Sequence, residues 1–391
     1  MKPRVAFVVQ RYGLEVNGGA ELLCRSIAEL MTDAWDVTVF TTRALDHYTW
    51  ANHYPEGEEL INGVAVQRFP VKKPRNIEKF NKLSEKIYWH PHSAEDERKW
   101  MRAQGPDAPD LVEKIKVDKD RFNVFIFFTY LYGTTYWSLP HVSHKSLLVP
   151  TAHDEPPIYL SLFSKLFAQT KGFIFNSPEE KVFLKNKFNI DTSLSDVIGV
   201  GIRLDPAIGS KNFIAANLPD HYVIYVGRID GSKGCPQLFE YWQRYKAKRK
   251  SDLQLVLVGR PQMKIPRRKD IVSLGFISEE EKFHAIAGAR CLIMPSFFES
   301  LSIVLLEAWL CGRPVLVNGK CDVLKGQCQR SNGGLWYENY DEFEACLNFL
   351  LNENETALKM AANGKSFVES HYSWDQIKAK YIRLIDRFLS N

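Results

Sequence analysis

Two glutamates eight positions apart, Glu299 and Glu307, stand in the stretch PSFFESLSIVLLEAWLCGRPVL. Eight residues would be about two turns if all were helical, so both carboxylates could face one ligand. Ser300-Leu301-Ser302 leads from a strand-like run, Cys291–Met294, into an apolar helix expected over Ser302–Leu310. Gly312-Arg313-Pro314 then ends that helix before a further strand at Val315–Val317. Amides at a helix start have no intrahelical partner and hold phosphate oxygens, while a carboxylate beside them accepts sugar hydroxyls. The plainer alternative makes Glu299 a helix cap and Glu307 a surface charge. Against it, Glu307 lies inside VLLEAWL, and a carboxylate buried among such residues requires a partner.

A second constellation follows the apolar run Tyr222–Val226, where GRIDGSKG opens a helix. Gly227, Gly231 and Gly234 flank Arg228 and Lys233, which offer a planar fork and a point charge to phosphate oxygens. A solvated basic turn is the alternative. A third loop, QRYGLEVNGGAE, joins the first strand to the first helix. Gly18 and Gly19 there let backbone amides approach an anion at the positive end of a helix dipole. The spacing is not GxGxxG, and a glycine-assisted turn explains it equally well. His153, in PTAHDEPP, follows the strand expected at Leu147–Pro150; by itself it reads as a loop histidine. Tyr12, Tyr130, Tyr132 and Trp137 are candidate stacking surfaces for an acceptor, or core residues.

These loops must be carried by alternating strands and helices. Short apolar runs at Val5–Val9, Val37–Thr41, Ala65–Arg68, Val124–Phe128, Leu147–Pro150, Gly172–Phe175 and Asp196–Val200 predict strands in the first half. Ala20–Met31 predicts a helix. In the second half, strands are predicted at Tyr222–Val226, Gln254–Val258, Ile271–Leu274, Cys291–Met294, Val315–Val317 and Gly334–Trp336, with helices at Gly234–Lys246, Glu279–Ala287, Ser302–Leu310 and Asp341–Leu351. Two such blocks in series predict an α/β protein of two doubly wound, Rossmann-like domains. The boundary is placed in Asp205–Asp220, which lacks a clear period and carries Pro206, Gly209 and Pro219. The polar stretch Lys72–Pro109, with a helix at Ile77–Trp89 and the charged run AEDERKW, reads as a surface insertion.

The 391 residues exceed a usual single domain, and 45% hydrophobic with 25% charged residues excludes a disordered chain. A net charge of +5 suits anionic phosphates but does not by itself argue for nucleic acid. Seven scattered cysteines without a CxxC pair read as reduced thiols. No run approaches the length of a membrane span, and the start shows no leader-like apolar region, so a cytoplasmic protein is expected. RYKAKRK and RRK leave room for peripheral contact with an anionic membrane.

The E-x7-E block, with NGGAE, VGRIDGSKG, LGFIS, NGGLWY and HYSWDQIKAKY in this order, resembles the retaining glycosyltransferases of family 4, and the likeness spans almost the whole chain. It implies the GT-B fold, with residues 1–205 as acceptor domain, 206–372 as donor domain and 373–391 as a helix returning to the first. It also implies transfer of a hexose from a nucleoside-diphosphate sugar, best matched by UDP-glucose, to a saccharide or lipid-linked acceptor. No cofactor, metal or nucleic acid is implied. Glu299 would bind donor-sugar hydroxyls, Glu307 the ribose, and Arg228 and Lys233 the diphosphate. Gly227, Ser300, Leu301 and Ser302 would line the donor site, and Phe276 would present its backbone to the base. Gly18 and Gly19 would approach the phosphates and His153 the transferred sugar. The chain departs from the family in Ser300-Leu301-Ser302, where Gly-x-Gly or Gly-x-Ser is frequent, and in Leu22, where arginine is usual. A sugar-nucleotide epimerase and a non-catalytic sugar-nucleotide-binding protein are the competing expectations. A dinucleotide oxidoreductase is disfavoured, because neither block has GxGxxG followed by an acidic residue.

Overall fold

In a computed structural model, the residues described are 2–16, 18–202 and 218–390. Most of the expected domain boundary, 205–217, lies outside them. The chain forms two compact units: Met1–Gly199 together with Lys378–Asn391, and Val200–Ile377.

The first unit alternates strands and helices from its start: β1 (Arg4–Val8), α1 (Gly19–Leu30), β2 (Asp36–Thr42), β3 (Gly57–Ile61) and β4 (Val64–Phe69). Three helices follow, α2 (Ile77–Trp89), α3 (Ala94–Gln104) and α4 (Pro109–Asp118). Then come β5 (Val124–Phe128), α5 (Gly133–Ser138), β6 (Ser146–Val149), α6 (Ser161–Gln169), β7 (Gly172–Phe175), α7 (Pro178–Phe188) and β8 (Ser195–Val197). The eight strands make one sheet in the order β3-β4-β2-β1-β5-β6-β7-β8. All neighbours run parallel except β3 against β4. Central strands of a parallel sheet are covered on both faces, which is why β5, VFIFF, is apolar and buried throughout. The antiparallel β3, GEELI, has no such signature: it is an exposed edge strand rich in glutamate. The strand expected at Asp196–Val200 ends early, at Val197.

Part of Lys72–Pro109, expected as a surface insertion, packs into the core. Helix α2 covers the expected span, but Ile87, Trp100 and Met101 are buried in the core of this unit. Trp100 donates from Nε1 to Ser84 Oγ at 2.9 Å. In the charged run AEDERKW, Glu97 points inward. It accepts from the amides of Ser161 and Leu162 at 3.0 and 2.9 Å, satisfying two unpaired donors at the start of α6.

The second unit contains β9 (Tyr222–Val226), α8 (Cys235–Lys248), β10 (Gln254–Val258), β11 (Ile271–Gly275), α9 (Glu279–Gly288), β12 (Leu292–Met294) and α10 (Ile303–Leu310). It continues with β13 (Val315–Asn318), α11 (Asp322–Ser331), β14 (Gly334–Tyr337), α12 (Tyr340–Asn352) and α13 (Asn354–His371). Its sheet is parallel throughout in the order β11-β10-β9-β12-β13-β14. Counted within the unit this is 3-2-1-4-5-6, which places the reversal of strand order between β9 and β12, where such sheets bind ligands beyond the strands' carboxyl ends.

Helix α10 is held hard in this unit. Trp309 is fully buried, and its Nε1 donates to Gly333 O at 2.8 Å. A Cβ at Gly333 would lie 2.5 Å from Trp309 Nε1, and one at Gly364 of α13 would lie 2.3 Å from Cδ1. The glycine of NGGLWY is thus the slot for the indole of the E-x7-E block.

The last helix, α14 (Trp374–Leu389), ends in the first unit. Tyr381, Leu384 and Ile385 are buried there, Lys378 pairs with Asp33, and Arg387 donates to Ser195 O at 3.0 Å. Among the described residues no helix is long and apolar enough to cross a membrane.

Candidate functional site

In the second unit the structure brings Arg228, Lys233, Glu299 and Ser300 to the loops after β9 and β12, on the two sides of the strand-order reversal. Gly227 leaves β9 with φ +152, and Gly234 enters α8 with φ +74, both in the region that favours glycine. A Cβ at Gly234 would stand 2.1 Å from Pro295 O, so the two loops touch through their backbones. Asn318, at the end of β13, donates to the same Pro295 carbonyl at 3.1 Å. The Arg228 carbonyl accepts from Tyr225 Oη at 2.6 Å, and its exposed guanidinium lies 3.5 Å from Asp230. Lys233 reaches across to Glu299, with Nζ 2.7 Å from Oε1.

Glu307 lies on α10 and is buried, with 6% of its surface exposed. It is not a surface charge: Lys282 of α9 donates from Nζ to its Oε1 at 2.8 Å. Burial pushes the Glu307 carboxyl above its ordinary range, and Lys282 opposes that rise. For Lys282, burial alone would lower its pKa, but Glu307 and Glu279 together carry it above the ordinary lysine value. The second carboxylate oxygen of Glu307, Oε2, is buried and accepts no hydrogen bond from the described residues. A buried acceptor left open in this way is costly, and a donor from a ligand or a water would satisfy it.

The start of α10 is less open than its sequence implied. Ser302 is buried, its amide donates to Gln327 Oε1 at 3.2 Å, and Gln327 Nε2 returns a bond to Ser302 O at 3.4 Å. That amide is therefore committed within the protein. Gln327, on α11, carried no signal in the sequence, because a polar residue in a helix of mixed composition reads as surface. Phe276 follows Gly275, whose φ is +68, and its ring is 59% exposed. Arg260, beyond β10, lies over that ring with the guanidinium carbon 5.0 Å from the centroid, within cation–π range.

In the first unit, the loop after β1 is built on an ion pair that the sequence reading missed. Arg11 donates from Nε to Glu21 Oε1 at 2.9 Å and from Nη1 to Leu45 O at 2.8 Å, with Arg11 and Glu21 both buried. Gly18 has an extended backbone, and a Cβ there would meet Glu21 Oε2 at 2.3 Å. Its missing side chain thus makes room for the glutamate of NGGAE. Gly19, the first residue of α1, has nothing within 4 Å of its Cβ position.

His153 lies on the loop after β6, with Nδ1 3.5 Å from Glu155 Oε1. That carboxylate accepts from Tyr130 Oη at 3.0 Å. The loop is anchored from beneath by Glu180 of α7, which accepts from Ala152 N at 2.6 Å and from Asn176 N at 2.7 Å. Glu180 is fully buried, and that burial pushes its carboxyl up to about 8 despite the two amides. Tyr12 and Tyr130 are core residues, each 1% exposed or less, not stacking surfaces. Among the described residues no group of three or more His, Cys, Asp or Glu side chains is placed to hold a metal ion.

Two doubly wound α/β units, the second with its charged cluster at the strand-order reversal, define the GT-B fold. Residues 210–367, most of the second unit, match the family described as glycosyl transferases group 1. The chain is similar to an uncharacterized glycosyltransferase of Methanocaldococcus jannaschii, 23% identical over 422 residues and covering 97% of both chains. Among solved structures it is similar to sucrose-phosphate synthase from Thermosynechococcus elongatus, with a TM-score of 0.72, 16% identity and 100% of both chains covered. It is also similar to Anabaena HepE in complex with UDP and glucose, with a TM-score of 0.69, 16% identity, and coverage of 98% of this chain and 100% of the other.

Proposed function

We propose that the protein is a retaining glycosyltransferase of the family 4 type that moves a hexose from a nucleoside-diphosphate sugar, UDP-glucose, to a saccharide or lipid-linked saccharide. The observation that carries this reading is the Lys233–Glu299 pair, 2.7 Å apart at the strand-order reversal. It puts a cation for phosphate and a carboxylate for sugar hydroxyls side by side. HepE, of the same fold, is described in complex with UDP and glucose.

In this reading Arg228 and Lys233 bind the diphosphate and stabilise the charge that develops on it as the bond to the sugar breaks. A preorganised cation pair can fill the place of a divalent metal there, so transfer proceeds without one. Glu299 orients the sugar through its hydroxyls. Glu307 uses its open Oε2 for the ribose, and the backbone at Phe276 faces the base. The seven cysteines are free thiols, which suits a reducing, cytoplasmic compartment. The basic runs RYKAKRK and RRK suit a peripheral contact with an anionic membrane when the acceptor is lipid-linked.

The test is calorimetric titration with a set of nucleoside-diphosphate sugars and free UDP, followed by transfer assays and stereochemical analysis of the product. Saturable binding of UDP-glucose and an α-linked product from its α-linked donor are expected. Absence of binding by every sugar nucleotide and nucleoside diphosphate overturns the proposal.

A further inference from the structure

The ion pair between α9 and α10 concerns a residue that the sequence reading did not single out. Lys282 is largely buried, and its Nζ donates to Glu307 Oε1 at 2.8 Å and to Glu279 Oε2 at 2.7 Å. That Nζ also lies over the ring of Phe283, 4.9 Å from its centroid. Only one oxygen of Glu307 is occupied in this way; Oε2 is buried with no partner among the described residues. A lone buried carboxylate on an apolar helix would take up a proton and lose its value as a double acceptor. A lysine is a point charge that can saturate one oxygen and leave the other free, whereas the fork of an arginine would engage both.

We infer that Lys282 is a positioning residue for nucleotide binding: it fixes the Glu307 carboxylate through Oε1 and so reserves Oε2 for a ribose hydroxyl. This rests on the reading of Glu307 as the ribose acceptor. The groups that face Glu307 are Lys282 and Glu279 from α9 and Cys311 just beyond α10, whose thiol burial and Glu307 push up to about 12. Arg313 acts on that thiol in the opposite sense. Of these, only Lys282 supplies a positive charge within hydrogen-bonding distance of the carboxylate.

The experiment measures UDP and 2′-deoxy-UDP binding by calorimetry between pH 6 and 9 on the full chain and on Lys282→Met, Lys282→Arg and Glu307→Gln. The parent is expected to prefer UDP over its deoxy analogue by about tenfold or more, the size of a hydrogen bond to a charged group. Lys282→Met is expected to lose that preference at low pH and regain part of it at high pH, as Glu307 ionises at a higher pH than in the parent. Glu307→Gln, which cannot ionise, serves as the reference profile. Lys282→Arg is expected to keep the parent melting temperature yet lose the preference at every pH, because its fork takes Oε2; a merely structural ion pair would keep both. Parental preference and pH profile in both lysine variants overturn the inference while the ribose reading stands. A Glu307→Gln variant that retains the full preference overturns the ribose reading and this inference with it, as does a parent that binds no UDP.

Discussion

Lys233 and Glu299 neutralise each other across the two loops that flank the strand-order reversal, with Nζ 2.7 Å from Oε1. In the proposed function a diphosphate arriving at these loops would compete with Glu299 for the ammonium, and the released carboxylate would become available to sugar hydroxyls. Lys233→Ala is therefore expected to weaken UDP by about 1.5–3 kcal/mol, the range for a charged hydrogen bond, and to leave uridine binding nearly unchanged. Calorimetry with the two ligands checks it, and an equal loss for both contradicts the phosphate role.

The two glutamates separate by which part of the donor they address. Glu299→Gln keeps the size and removes the charge that competes for Lys233, so UDP should bind at least as tightly as before while transfer falls, because the sugar loses its orientation. Glu307→Ala should weaken UDP and UDP-glucose alike, by about 1–3 kcal/mol for a buried acceptor removed from a hydroxyl. Parental transfer by Glu299→Gln, or equal loss of UDP affinity in both variants, contradicts these roles.

With two cations assigned to the leaving group, transfer is expected to survive a chelator. Activity measured in excess EDTA should stay close to that in buffer. A complete loss restored by Mg²⁺ or Mn²⁺ would show that Arg228 and Lys233 do not suffice.

The Glu180 carboxyl, pushed up to about 8 by burial, ties stability to pH. Below the ordinary carboxylate range it is protonated whether the chain is folded or unfolded. Between that range and about 8 the folded state holds a proton that the unfolded state has released. Stability from this group is thus present at low pH and lost as pH rises toward about 8, by at most about 1.4 kcal/mol per pH unit. Glu180→Gln cannot ionise, but it has one accepting oxygen for the two amides and would set its own NH2 against the other. It should be less stable than the parent at pH 5 and approach or pass it at pH 8.5, as melting temperatures across that range will show. A constant difference contradicts the shift.

Gly364→Ala tests the slot for Trp309. In an open helix this change stabilises, since alanine loses less conformational freedom. Here the new Cβ would lie 2.3 Å from the indole, so a loss of about 1–3 kcal/mol from overpacking is expected by denaturant unfolding. A neutral or stabilising outcome would mean that α13 can move away from α10.

The parallel strands were legible in the sequence because strands covered on both faces need unbroken apolar runs, and VFIFF and YVIYV leave no other reading. So were the loops with Arg228, Lys233 and Glu299, since glycine and charge at a strand's end are local patterns. The burial of Glu307 was legible too, from its apolar neighbours. Its partner was not: Lys282 is 25 positions away on another helix, and a lysine in EEEKF looks like any solvated charge. Glu97, Glu180 and Gln327 were hidden for the same reason, being polar side chains whose partners are backbone amides made neighbours only by packing. Local periodicity depends on which face of one element is covered, and a single stretch records that. Which buried charge meets which donor depends on how several elements cross, and only the tertiary structure decided it.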